Sequence, residues 1–106
     1  MAREHRLSVR IPLELPVHVW WRTTTGKSQE VEGKTENISA NGMFVTIRRR
    51  LRHHTPISFC VDLPSEITRA PVQLLGYGRI VRRSGAGEVE GIAAVIDEYE
   101  IRPAGN

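Results

Sequence analysis

Apolar and polar residues alternate strictly in three stretches of the chain: Val17, Val19 and Trp21; Ile57, Phe59, Val61 and Leu63; and Ile92, Ala94 and Ile96. A period of two puts each set on one face, so each stretch predicts a half-buried β-strand. The runs GMFVTI, from Gly42 to Ile47, and LLGYGRIVR, from Leu74 to Arg82, are rich in β-branched and aromatic residues and predict two more. EVEGKTEN, from Glu30 to Asn37, is more polar and is expected to be an edge strand, with loops such as TTTGKSQ and SGAGE joining neighbouring strands. About six short antiparallel strands with turn signals between them make a small barrel or a sandwich. No helix of ordinary length is visible. The tail DEYEIRPAGN has room for one helical turn from Asp97 to Glu100 before Pro103, and LPSEITRAP, between Pro64 and Pro71, has room for another.

A length of 106 residues with 40% hydrophobic content supports one domain with a real core and is too short for two. Residues 1–13 read as an arginine-bearing N-terminal arm and residues 14–106 as the domain itself. No stretch approaches the roughly 18 apolar residues of a membrane span, and MAREHRLSVR is not followed by an apolar signal segment, so a cytoplasmic protein without membrane insertion is expected. The single cysteine, Cys60, has no internal disulfide partner, which agrees with a reducing compartment. The net charge of +3 says little about partners. The kind of cation says more, because every positive residue except Lys27 and Lys34 is an arginine. Arginine suits bidentate contact with phosphate and stacking on flat rings, although codon usage in a GC-rich genome gives the same excess.

Catalytic and metal-binding patterns are missing. His5, His18, His53 and His54 have no ligand spacing among themselves or with Cys60, and no glycine-rich phosphate loop precedes a helix. Cys60, on the strand face opposite Phe59 and Val61, reads as a packed thiol. No enzyme, metal or cofactor is expected. The run RRRLRHH, from Arg48 to His54, is the densest positive patch, either a solvated loop or a contact with nucleic acid, an acidic protein or lipid headgroups. Of the adjacent pair Trp20 and Trp21, one is expected in the core and the other, Trp20, over a barrel end or a binding surface.

The stretch TENISANGMFV, from Thr35 to Val45, interrupts apolar strand flanks with Asn37, Ser39, Asn41 and Gly42. Asn41 and Gly42 fit a two-residue hairpin turn with positive φ. Asn37 and Ser39 need another reason. Two apart in an extended segment, they project to one side beside a glycine and make a small polar platform suited to the edge of a base. Complementary chemistry lies upstream in RLSVR, where Arg6 and Arg10 can grip phosphate and the O6 and N7 edge of guanine.

These two motifs, Arg6-Leu-Ser-Val-Arg10 and Asn37-Ile-Ser39-Ala-Asn-Gly42, resemble the RxxxR and (D/N)xSxxG elements of the PilZ domain family, bacterial receptors for cyclic di-GMP. GYGRIVR and EGIAAVI are similar to that family's later strands, so the resemblance covers nearly the whole chain. It implies an all-β fold, a small six-stranded antiparallel β-barrel, with Arg6 and Arg10 on the phosphates and one guanine and Asn37, Ser39 and Gly42 on the other. Family members often continue into a long C-terminal helix. Here Pro103 and Gly105 follow soon after Ile96, so that helix is expected to be absent or very short. With no output domain in the sequence, the signal is expected to pass to a separate, unidentified downstream protein or to a region outside this sequence. No nucleic-acid partner is expected. The alternatives are a small barrel binding single-stranded nucleic acid through Trp20, Tyr77 and Arg48 to Arg52, or a PilZ-like adaptor that binds no nucleotide.

Overall fold

A computed structural model of the chain describes residues 14–39, 41–65, 69–84 and 90–103. Six strands run in chain order: β1 (Pro16–Arg22), β2 (Ser28–Ile38), β3 (Gly42–Ile47), β4 (Pro56–Leu63), β5 (Val72–Ser84) and β6 (Glu90–Pro103). They pair antiparallel in the order β1-β2-β3-β6-β5-β4, and β4 returns to β1 through Val17 to Trp20 against Val61 to Ser58, closing a barrel. The alternating residues fill it. Val19, Val45, Val61, Phe59, Ile80 and Ile92 are almost wholly buried, with Val17, Met43, Ile47, Ile57, Ala94 and Ile96 around them. Side chains rather than a cavity occupy the interior of so small a barrel. Among the described residues no helix is long and apolar enough to cross a membrane.

The barrel corrects two expectations. β2 is not an edge strand, because it pairs with β1 from Ser28 to Lys34 and with β3 from Gly33 to Ile38. It looks polar because Glu30, Glu32 and Lys34 face water while the inward positions between Glu30 and Thr35 are Val31, Gly33 and Thr35. Nor does the tail turn into a helix at Asp97 to Glu100. β6 continues to Pro103, held by the N-terminal half of β5 from Val72 to Tyr77. Supply of a ladder partner overrides the local sequence preference there. Between β4 and β5, the Ser65 carbonyl accepts the Arg69 N–H at 2.7 Å, the spacing of one helical turn.

The β3–β4 connection must cross an end of the barrel, since the two strands are not neighbours. That connection is the arginine run. Leu51, its one aliphatic residue, is buried and plugs the end. The turn is fastened to β5 by the His54 N–H to the Ile80 carbonyl at 2.6 Å and the Ile80 N–H to the Thr55 carbonyl at 3.0 Å, with His54 at φ 68°. The arginines spread outward from this plug. Arg49 donates to Gln29 Oε1 at 3.1 Å and lies over the Trp21 ring, Arg50 meets Glu90 at 3.4 Å, and Arg83 Nη1 from β5 donates to the Leu51 carbonyl at 3.2 Å. Trp21 packs against the core as expected, though only partly buried.

Close strand packing constrains Gly78 in β5. A Cβ there would stand 1.8 Å from the Val95 carbonyl oxygen, a backbone atom fixed by the ladder. Gly78→Ala is therefore expected to cost at least about 2 kcal/mol in urea-unfolding measurements.

Candidate functional site

The site begins with one extra residue in β2. Thr35 faces Val45 and Asn37 faces Phe44, so Glu36 is a β-bulge with no partner on β3. Before it, Thr35 points into the core; after it, Ile38 does, paired with buried Met43. The bulge thus reverses the phase of the strand and sends Asn37 and Ser39 to the outer face. Both are half-buried.

The hairpin that follows is one residue away from the expected turn. Ser39 and Gly42 face each other, with the Ser39 N–H donating to the Gly42 carbonyl at 2.9 Å, so residues 40 and 41 lie between them. The Ser39 hydroxyl donates to the same carbonyl at 3.3 Å and accepts the Asn41 N–H at 3.3 Å. Gly42 opens β3 opposite Val95, and among the described residues the glycine at positive φ is Gly26, not Gly42. The reason for a glycine at position 42 is therefore not a left-handed backbone. It leaves the outer face without a side chain between Ser39 and Val95. The Asn41 carbonyl accepts the Ile96 N–H at 2.9 Å and ties the hairpin to β6.

Strand register extends this platform across the outer face in two rows that sequence reasoning missed. One runs Asn37, Phe44, Ala93, Arg82; the other runs Gly42, Val95, Arg79. With strands about 4.8 Å apart, Arg79 stands two strands, or about 10 Å, from Gly42. Its guanidinium is held by Asp97 at 2.6 Å. The Phe44 ring lies above Gly91, whose missing side chain makes room for it. The signal for these residues was present in the alternation of β5 and β6, but only the register says which outward residues adjoin the hairpin.

Arg6 and Arg10 lie outside the described residues. The root of the segment carrying them is fixed. The Leu15 N–H donates to Thr35 Oγ1 at 3.0 Å and the Thr35 N–H donates to the Leu15 carbonyl at 2.9 Å, both groups buried. This two-bond clasp holds the start of the barrel chain against the residue immediately before the bulge.

Of the other sequence candidates, one lies apart from the platform and one adjoins its row at Arg79. The Arg48 to Arg52 run is at the opposite end of the barrel, separated from Gly42 by the length of β3, about 17 Å. Trp20 and Tyr77 do share a surface, a cleft of about 740 Å³ where β1 and β4 diverge, lined also by Trp21, His54, Arg79 and Asp97. Charges of both signs border it, with Arg22, Arg79 and Asp97 in its lining. Tyr77 donates to Glu98 at 2.6 Å, which raises the pKa of its hydroxyl, and His18, tilted against Trp20, meets Glu30 and Glu32. Cys60 is half-buried on the outer face, and burial, with help from Asp62, pushes its thiol up while Arg102 partly offsets the shift. Among the described residues no His, Cys, Asp and Glu cluster is arranged to hold a metal.

The structure is a closed six-stranded antiparallel barrel with a polar hairpin platform beside the root of its N-terminal segment. The profile of the PilZ domain family matches residues 3–101, and the chain belongs to that family of cyclic di-GMP receptors. Among solved structures, the chain is similar to the PilZ domain of CeSA from a cellulose-synthesizing bacterium, at 26% identity over 86% of this chain and 84% of that one, with a TM-score of 0.51. No curated protein matches the sequence.

Two outcomes follow. Thr35→Val keeps the shape but leaves the buried Leu15 N–H without its acceptor, and is expected to cost about 1–3 kcal/mol in chemical denaturation. Because the Cys60 thiol is raised, its thiolate is scarcer in the folded state at pH 8. Alkylation there is expected to be several-fold slower in the native protein than in the urea-unfolded chain.

Proposed function

We propose that this domain binds cyclic di-GMP on the outer face beside the β2–β3 hairpin and passes the signal to a separate protein. The observation that carries the reading is the bulge at Glu36, which puts Asn37 and Ser39 together on the outer face next to Gly42. An amide and a backbone hairpin offer the donors and acceptors that match one guanine edge. Arg6 and Arg10 supply phosphate and guanine contacts from the N-terminal segment. Reach supports this, since Arg10 is five residues from the anchored Leu15, a span of up to about 17 Å, and Arg6 nine residues, up to about 31 Å. Arg79 and Val95 extend the ligand surface on the far side of the hairpin.

Both arginines must act together. Ordering the five residues from Arg6 to Arg10 costs about 5 to 10 kcal/mol, and one charge-assisted hydrogen bond returns about 1.5 to 3. Several contacts must form at once, and the loss of either arginine releases the segment. The single-stranded nucleic-acid reading has less support, because Tyr77 is bonded to Glu98, Arg79 in the same cleft is paired with Asp97, and His18 beside Trp20 meets Glu30 and Glu32.

Calorimetry tests the proposal. Cyclic di-GMP is expected to bind at about micromolar strength, near −8 kcal/mol, and at least about tenfold more tightly than its adenine analogue, GTP or a short RNA. Asn37→Ala should weaken binding with little change in melting temperature. Ser39→Ala should weaken it and also cost about 0.5–1.5 kcal/mol of stability, because its hydroxyl holds the turn. Arg6→Ala and Arg10→Ala should each remove most of the affinity that the double variant removes. Equal binding of the two cyclic dinucleotides, or tighter binding of RNA, would overturn the proposal.

A further inference from the structure

The pairing of β6 changes along its length. β3 accompanies it only from Glu90 to Val95, whereas β5 continues to Pro103. Among the described residues, the stretch from Glu98 to Pro103 is therefore hydrogen-bonded on one side, with a row of backbone groups on the other. The first half of β2, from Ser28 to Glu32, is also paired on one side only, but it carries Gln29, Glu30 and Glu32 and is met by Arg49. β6 differs in presenting apolar side chains. Tyr99 is 41% exposed and Ile101 is 60% exposed. An exposed edge bearing large apolar residues is a template for a further strand.

We propose that this edge pairs antiparallel with the same edge of a second copy of the chain, about a two-fold axis at Ile101. The sequence is complementary to itself in that register. Ile101 faces Ile101 of the partner subunit, Glu100 faces Arg102 of the partner subunit and Arg102 faces its Glu100, while Tyr99 faces Pro103. Registers centred on Tyr99 or Glu100 put either Tyr99 or Glu100 opposite itself. The latter sets two carboxylates face to face, and directly opposed like charges destabilise a strand pair. Within one chain Glu100 already holds Arg102 at 3.2 Å, so the four charges of the dimer form an alternating row.

The faces agree as well. The bulge at Asp97 turns Tyr99 and Ile101 to the side of β5 that carries Gly76 and Leu74, which continues into the core. Along the register Val17, Val61, Leu74 and Ile101 form one apolar row across β1, β4, β5 and β6. A two-fold axis perpendicular to the sheet preserves faces, so the row continues through Ile101 and Leu74 of the partner subunit without a polar interruption. Five residue pairs make a small contact, and the dimer is expected to be weak, with a dissociation constant of about 10–500 µM.

Analytical ultracentrifugation from about 5 µM to about 1 mM reads this out. The wild-type chain is expected to move from monomer to dimer across that range, and Ile101→Lys to remain monomeric. Glu100→Arg and Arg102→Glu should each weaken the dimer at least tenfold, and the double exchange should restore it to within about threefold of wild type. The substituted side chains are exposed, so thermal melting should show all four variants folded. A wild-type chain monomeric at every concentration, a dimer indifferent to these substitutions, or single losses that the double exchange fails to repair would overturn the proposal.

Discussion

One unpaired residue in a strand decides which side chains of β2 face outward beside the hairpin. With a strict period of two, Val31, Gly33 and Thr35 would be followed into the barrel by Asn37, a polar side chain in a core of valines and isoleucines. Glu36 takes up the extra step. Ile38 enters the core instead, and Asn37 emerges beside Ser39. The cost of burying an amide among apolar neighbours, set against one strand irregularity, fixes the choice. The clasp between Thr35 and Leu15 then fastens the beginning of the barrel chain at the same point. Platform and N-terminal segment are thereby brought together by the same three residues of β2.

The arginines of the β3–β4 connection and those of β5 are placed for different reasons. At one end, the β3–β4 connection has to pass over an open core, and Leu51 closes it while Arg49 and Arg50 are drawn off by Trp21, Gln29 and Glu90. Those charges serve the crossing. Arg79 and Arg82, in the C-terminal half of β5, stand instead in outward rows that continue through β6 to Gly42 and Phe44 of β3. Density of positive charge along the sequence and position in the register thus pick out different faces.

Much of the fold was legible because a small antiparallel barrel has one wet and one dry side to every strand. Val17 and Val19, Ile57, Phe59 and Val61, and Ile92, Ala94 and Ile96 are core residues as their alternation predicts, and β3 begins and ends where its β-branched run does. β2 was misread because glycine and threonine fill its inward positions, Gly33 being required where a Cβ would meet the Thr46 carbonyl at 2.3 Å. The second half of β6 was misread because its partner lies some 25 residues upstream and leaves no local trace in DEYEIRP. The Asn37 and Ser39 platform was visible as a polar interruption. Its turn was displaced by one residue because Asn-Gly is the commoner hairpin signal, whereas here Gly42 is the first residue of a strand. Arg79 and Val95 could not be read at all without knowing that β6 lies between β3 and β5.

The central claim is that the outer face beside the bulge receives the ligand. Amide chemical shifts followed during titration with cyclic di-GMP test it most directly. The account predicts that the largest changes fall on Asn37, Ser39, Gly42, Phe44 and Val95, neighbours in the register around the hairpin. Changes centred instead on Arg48 to His54, or on the cleft of Trp20 and Tyr77, with the hairpin amides unmoved, would contradict it.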